Sequence, residues 1–352
     1  MQHKIQTIQN LRGFAALVVL IHHVLQDTKM HESNSYILTY FHNLDYFGNI
    51  GVDIFFIISG FIMVLIHGDD FTKPLAVRIF LLKRIIRVVP LYWILTGMAT
   101  FILLFFPHLF GAGKTFDLYH TMASFFFIPW NNTAGMPIPI LAAGWTLNYE
   151  MYFYLVFAFF LLLPKKIFFP GITFYFILSI GLSILNPSVP YFKMITNPLL
   201  LEFLLGIFVG LLYRKKQLLK QYNILLIISI GLFLSNLFSQ HNIEYRAIYF
   251  GIPSALLIYL LLSYEHYKEF PLCGKVLGLL GTISYSLYLS HIFIYKFVIK
   301  IYPKIFGMHS LDIMILLAIL ASIGGGVIVY TYIEKPLNIY LTNKLSIYNA
   351  KK

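Results

Sequence analysis

The chain has 352 residues, 59% hydrophobic, 18% aromatic and only 11% charged, against roughly 25% charged in an ordinary soluble domain. So few charges cannot coat a soluble surface, which leaves lipid as the surrounding medium. The net charge of +12 would suggest nucleic acid in a soluble protein, but here the basic residues punctuate apolar runs, and a single cysteine, Cys273, rules out a disulfide framework or a thiolate zinc site.

Ten apolar runs of bilayer-crossing length follow in chain order, at 8–25, 47–66, 88–106, 145–163, 167–185, 198–213, 224–238, 247–263, 276–299 and 311–333. Sorting each Lys and Arg by its nearest span end, with the N-terminus inside, places 7 outside (Lys29, Lys114, Lys193, Arg246, Lys296, Lys300, Lys304) and 19 inside. By the positive-inside rule this selects cytoplasmic N- and C-termini. The expected fold is an all-α polytopic membrane protein of about ten transmembrane helices, one membrane domain over 1–352. The longest connection, 107–144, carries Trp130, Asn131, Gly135, Pro137 and Pro139 on the outer side. It reads either as a lid or as a cover for helix ends.

Ionisable side chains inside spans are costly and by default face the bundle interior. Arg12 lies at the inner end of the first span and His22 and His23 near its outer end. Asp53 opens the second span from outside, Glu150 the fourth and Glu202 the sixth, and His291 lies in the outer half of the ninth. All but Arg12 fall in the outer half, which predicts a shared pocket. Arg12 and His23 share a helix face and stand about 16 Å apart along it. Between them Ala15, Ala16 and Val19 form either a groove for a thin cofactor arm or a seam for close helix packing. Ser284, Tyr288 and His291 at i, i+4 and i+7 make a polar stripe, a site wall or a hydrogen-bonded seam. Asp53, at similar depth to His23, could hold one ring nitrogen while the other takes a proton. No metal is expected, because the adjacent His22 and His23 diverge on a helix and no HExxH spacing occurs. On the inner side Arg78, Lys83, Arg84 and Arg87 crowd the loop after the second span. Arg84 and Arg87, one turn apart, could clamp phosphates as planar forks or merely signal topology.

Six ordered motifs carry a family resemblance. They are Leu11-Arg12-Gly13-Phe14-Ala15-Ala16 leading to His23; Gly51-Val52-Asp53-Ile54-Phe55-Phe56; Arg84-Ile85-Ile86-Arg87-Val88-Val89-Pro90; Gly144-Trp145-Thr146-Leu147-Asn148-Tyr149-Glu150; Ile283-Ser284-Tyr285-Ser286-Leu287-Tyr288-Leu289-Ser290-His291; and Ile333-Glu334-Lys335-Pro336. Together they resemble the integral-membrane acyltransferase family 3, most closely its branch acetylating succinoglycan and similar exopolysaccharides. The fourth motif reads WTLNYE where WTLSxE is the common form. With 18 residues after Glu334, no appended SGNH-like domain is expected.

The resemblance implies transfer of an acyl group, usually acetyl, from cytoplasmic acyl-CoA to a hydroxyl of an envelope glycan or its lipid-linked precursor, at the bacterial cytoplasmic (inner) membrane. In that scheme His23 is the catalytic base, oriented by Asp53 or Glu150, and Arg12, Arg84 and Arg87 bind the acyl-CoA co-substrate. Tyr288, His291, Ser284 and Trp145 support the substrate or the developing oxyanion. Direct attack and an acetyl-histidine relay both stay open. Expected partners are acyl-CoA, a glycan acceptor and the lipid bilayer, with a second copy of the chain or polysaccharide-assembly proteins as further ones, and no nucleic acid. Two other classes fit the spans: a proton-coupled transporter of a glycan or lipid intermediate, and a noncatalytic assembly subunit.

Overall fold

The structure is a computed structural model that describes residues 5–29, 35–40, 48–107, 115–235, 246–268, 273–307 and 310–344. Lys4, Phe47, Lys114, Phe238, Lys351 and Lys352, which entered the reading of spans and charges, lie outside the described residues. Among the described residues the regular structure is helical throughout. In chain order the helices are α1 (Gln6–Thr28), α2 (Tyr36–Tyr40), α3 (Ile50–His67), α4 (Pro74–Phe105), α5 (Leu118–Phe125), α6 (Trp145–Leu161), α7 (Lys165–Gly181), α8 (Pro190–Ile195), α9 (Leu200–Arg214), α10 (Asn223–Ser235), α11 (Ile252–Tyr267), α12 (Cys273–Phe306), α13 (Leu311–Val329) and α14 (Lys335–Lys344).

Eight of the ten expected runs belong to helices long and apolar enough to cross a membrane. The other two are helical but shorter, α6 with 17 residues and α10 with 13. They reach about 26 Å and about 20 Å, against a hydrocarbon core of about 30 Å. Asn148 and Glu150 lower the hydropathy of α6 in its first two turns. The basic loop is also corrected: Arg78, Lys83, Arg84 and Arg87 lie on α4, which starts at Pro74 and runs 32 residues. Proline at the first helical position has its φ already set for a helix and lacks an N–H that would go unpaired there. The described part of the connection 107–144 is anchored to its neighbours. Its helix α5 is capped by Asp117, whose carboxylate accepts from His120 N at 2.7 Å, and is tied to α4 by Tyr92 Oη donating to Ser124 O (2.9 Å) and Trp93 Nε1 to Phe125 O (2.8 Å).

The chain divides into two compact units. In the first, formed by residues 1–65 and 201–330, α1 packs mainly on α12, and α12 on α13. The contact is close because Gly13 leaves no side chain: a Cβ there would stand 2.8 Å from Gly281 N. The helices α3 and α9 run parallel, and their register follows from glycines. A Cβ on Gly206 would strike Ile57 O, one on Gly60 would strike Phe203 O, and one on Gly210 would lie 3.1 Å from Phe61 O. At the far end Arg214 Nη1 donates to Leu65 O (3.0 Å). We expect Gly206→Val to part these helices and cost about 1–3 kcal/mol, as overpacking does. The check is thermal stability of the purified protein, with Gly97→Ala, which meets nothing within 4 Å, as the unaffected control.

In the second unit, residues 66–200 and 331–352, α4 packs on α5, α6 and α14. Tyr92 is buried and touches Gly144. Phe80, Phe153, Phe157, Phe168 and Phe176 build an aromatic core around the end of α6 and α7.

Candidate active site

The C-terminal half of α1 and the middle of α12 bring two imidazoles together. His291 Nδ1 lies 3.1 Å from Leu287 O. A carbonyl only accepts, so in the neutral ring Nδ1 carries the hydrogen and Nε2 the lone pair. That lone pair sits 3.2 Å from His23 Nδ1, which is also 3.0 Å from Val19 O. His23 therefore donates from Nδ1 to both acceptors, and its Nε2 is left unprotonated, a base on a half-buried ring. His291 is buried and its ring centroid stands 5.0 Å from that of His23. Tyr288 packs on His291 (6.2 Å) and on Phe55 of α3 (5.7 Å). His22 packs on His23 with ring centroids 4.9 Å apart, under the backbone of Gly48.

The expected orienting role of Asp53 is corrected here. Both of its oxygens are taken by Arg246, with Nε to Oδ1 and Nη2 to Oδ2 each at 2.9 Å, and Arg246 Nη2 also donates to Asn49 O at 2.6 Å. Relative exposure is 0% for Asp53 and Glu202 and 5% for Arg246. A bidentate guanidinium is the strongest partner a buried carboxylate can have, so it wins Asp53 from an imidazole. The carboxyl of Glu202 is buried as well, and its hydrogen-bonding neighbour is the carboxyl of Asp53. The acids opening α3 and α9 thus form a separate cluster, and the side chain that meets His23 Nδ1 is His291 instead of Asp53.

Two more expectations change. Ala15, Ala16 and Val19 are at most 2% exposed, and a Cβ on Gly51 would lie 2.7 Å from Val19 Cγ2. The small side chains let α3 and α12 close on α1, so the stripe is a packing seam and no groove. Ser284 accepts from Arg12 Nη2 at 3.0 Å and spends its one hydrogen on Gly281 O at 2.9 Å. It anchors Arg12 and has no proton left for an oxyanion.

The remaining site residues lie in the second unit. The Arg84 guanidinium stands over the rings of Tyr154 (5.7 Å) and Phe80 (6.0 Å), and its buried Nε has no hydrogen-bond partner among the described residues. The Tyr154 hydroxyl donates to Glu150. Arg87 pairs through Nη1 with Glu334 Oε1 at 2.5 Å, where Glu334 is 1% exposed and Arg87 34%. Glu334 ends a π-helical turn, Tyr330–Glu334, whose wider winding shifts the register of the helix that follows. Trp145 stacks edge-on with Tyr149 at 5.8 Å.

Residues 5–333 match the family model described as an acyltransferase domain, the acyltransferase 3 family. The chain belongs to this family. It is also similar to the exopolysaccharide production protein ExoZ of Rhizobium meliloti (strain 1021), 33% identical over 299 residues that cover 82% of this chain and 89% of that protein. No solved structure matches the chain. Family membership and the apolar helices make this a multi-pass membrane acyltransferase.

Two residues of this acyltransferase escaped the reading of its sequence. Arg246 was counted only as a topology charge, although it is the one arginine among the seven basic residues assigned outside. A carboxylate inside a span demands a cation, and that demand could have singled it out. Glu334 sat inside a recognised motif with no role until its pairing with Arg87 gave it one. The motifs around Arg87 and Glu334 are 247 residues apart and meet in this single ion pair.

Proposed function

We propose that this acyltransferase moves an acyl group, acetyl in the simplest case, from cytoplasmic acyl-CoA to a sugar hydroxyl of an exopolysaccharide or its lipid-linked precursor. The observation that carries this reading is that His23 Nδ1 is held by Val19 O and His291 Nε2, which leaves Nε2 as the basic nitrogen of the neutral ring. The similarity to an exopolysaccharide production protein supports the acceptor class.

The chemistry balances within the site. His23 Nε2 takes the proton of the sugar hydroxyl as its oxygen attacks the thioester carbonyl, and the C–S bond breaks when the tetrahedral intermediate collapses. The proton then passes from His23 to the departing thiolate, so the hydroxyl and the thioester become an ester and free CoA thiol while His23 is regenerated. The positive charge that builds on His23 is relieved through the Nδ1 bonds to Val19 O and His291. Tyr288, beside His291, is the hydroxyl we assign to the oxyanion. In the second unit we assign the CoA phosphates to Arg84 and to the exposed edge of Arg87. In this proposal both termini lie in the cytoplasm, a reading supported by the distribution of basic residues, and the His23 end of α1 faces outward. A second copy of the chain and polysaccharide-assembly proteins remain partners within this proposal.

The test is NMR of the exopolysaccharide from cells with and without the gene. Base-labile O-acyl signals should vanish on deletion and return on complementation. Unchanged acylation with altered polymer export would instead favour a transporter or assembly subunit.

A further inference from the structure

One helical turn beyond the imidazole pair, the same two helices carry a second polar layer. Asp27 follows His23 by four residues on α1, and Tyr295 follows His291 by four on α12, so both stand on the faces that already meet. The Tyr295 hydroxyl donates to Asp27 Oδ2 at 3.0 Å, and Lys296 Nζ approaches the same oxygen at 3.4 Å. The ring of Tyr295 is buried and lies 5.9 Å from that of His291, so the phenol is held as firmly as the base. The outer members are open: the side chains of Asp27 and Lys296 are 38% and 49% exposed.

An ion pair this exposed contributes little to stability, so helix stapling is a weak reason for its place. Its chemistry fits a polyol. Both contacts fall on Oδ2, leaving Oδ1 to accept from a sugar hydroxyl, while the ammonium, with three hydrogens, can donate to a neighbouring sugar oxygen. The layer sits about 6 Å along α1 from His23, the reach of a sugar ring whose reacting hydroxyl is at His23 Nε2.

We propose that Asp27 and Lys296, braced by Tyr295, form the subsite for the sugar ring of the acceptor and select which of its hydroxyls is acylated. This rests on the acyl-transfer reading above. Read by Asp27 and Lys296, a hydroxyl on the ring's far side fixes the ring's rotation about the base. The bound sugar then presents one position and withholds the others.

The experiment uses the full-length protein in nanodiscs, acetyl-CoA as donor, and the cells' own exopolysaccharide, stripped of base-labile esters, as acceptor. Asp27→Asn and Lys296→Gln should each raise the acceptor KM roughly ten- to hundredfold, the loss expected for a hydrogen bond to a charged group. Polymer esterified by Asp27→Asn should also carry its acetyl groups spread over additional ring positions by NMR. A fall in kcat with acceptor KM and ester position unmoved would mean that the layer only braces the helices, and would overturn the proposal. Unaltered kinetics in both variants, with folding verified by a monodisperse elution profile, would overturn it as well. If the wild-type protein itself transfers nothing to the stripped polymer, the acyl-transfer reading fails first, an outcome separable from the other two.

Discussion

His23→Ala should abolish acyl transfer while leaving the protein folded. A positioned general base contributes about 10²- to 10⁴-fold to a rate, and His23 is the side chain whose Nε2 the hydrogen-bond chain from Leu287 O through His291 leaves unprotonated. The ring is half-buried, and its loss removes contacts with His22 and His291 without stranding a charge. His291→Ala should cost less, because His23 Nδ1 keeps Val19 O as acceptor and hence the same tautomer. The ordering wild type, His291→Ala, His23→Ala is the signature to look for. CoA released from acetyl-CoA in the presence of the stripped polymer, read with a thiol reagent, measures it. Full activity in a well-folded His23→Ala protein would remove His23 from the mechanism altogether.

The largest effect on stability should come from Arg246→Met. Asp53 and Glu202 are both 0% exposed, and the substitution leaves two buried carboxyls with no cation between them. Breaking a buried pair by deleting one partner costs about 3–5 kcal/mol, a large part of a typical folding free energy of about 5–15 kcal/mol. Folded protein recovered from membranes should fall accordingly. Adding Asp53→Asn should restore much of it, since the second change removes the stranded charge. Glu202→Gln in the wild-type background should be close to neutral, because it keeps the shape of the side chain and its amide N–H can donate to Asp53. Fluorescence-detected size exclusion after a heat step ranks the four proteins. An undiminished Arg246→Met protein would mean that the cluster is stabilised by something other than this pairing.

Much of the architecture was legible because a bilayer leaves few options: long apolar runs must be helices, and α1, α3, α4, α7, α9, α11, α12 and α13 all sit where such runs are. The limits of those runs were less legible. Hydropathy sees the apolar second half of α4 but not its basic first turns, which are helical because Pro74 starts them. In the site, the i, i+4, i+7 stripe on α12 was readable from spacing alone, and so was the face shared by Arg12 and His23. Spacing could not say whether Ala15, Ala16 and Val19 face a ligand or a neighbouring helix, because small residues serve both, and Gly51 decided it. Nor could it pair Asp53 with Arg246, 193 residues away. A span predicts that a buried acid has a partner but does not name which one.

The pairing of Arg87 with Glu334 bears on how the chain is made. Each unit is discontinuous, and the second draws residues 331–352 back to helices built from 66–200. During synthesis α4 is therefore made long before Glu334, and Arg87 waits for this carboxylate while more than two hundred further residues are inserted. Such late closure is slow and exposes the intermediate to quality-control proteases. It also makes the short stretch around Glu334 a checkpoint: a chain cut before it would possess the complete imidazole pair and yet leave the ribosome with its other half unfinished.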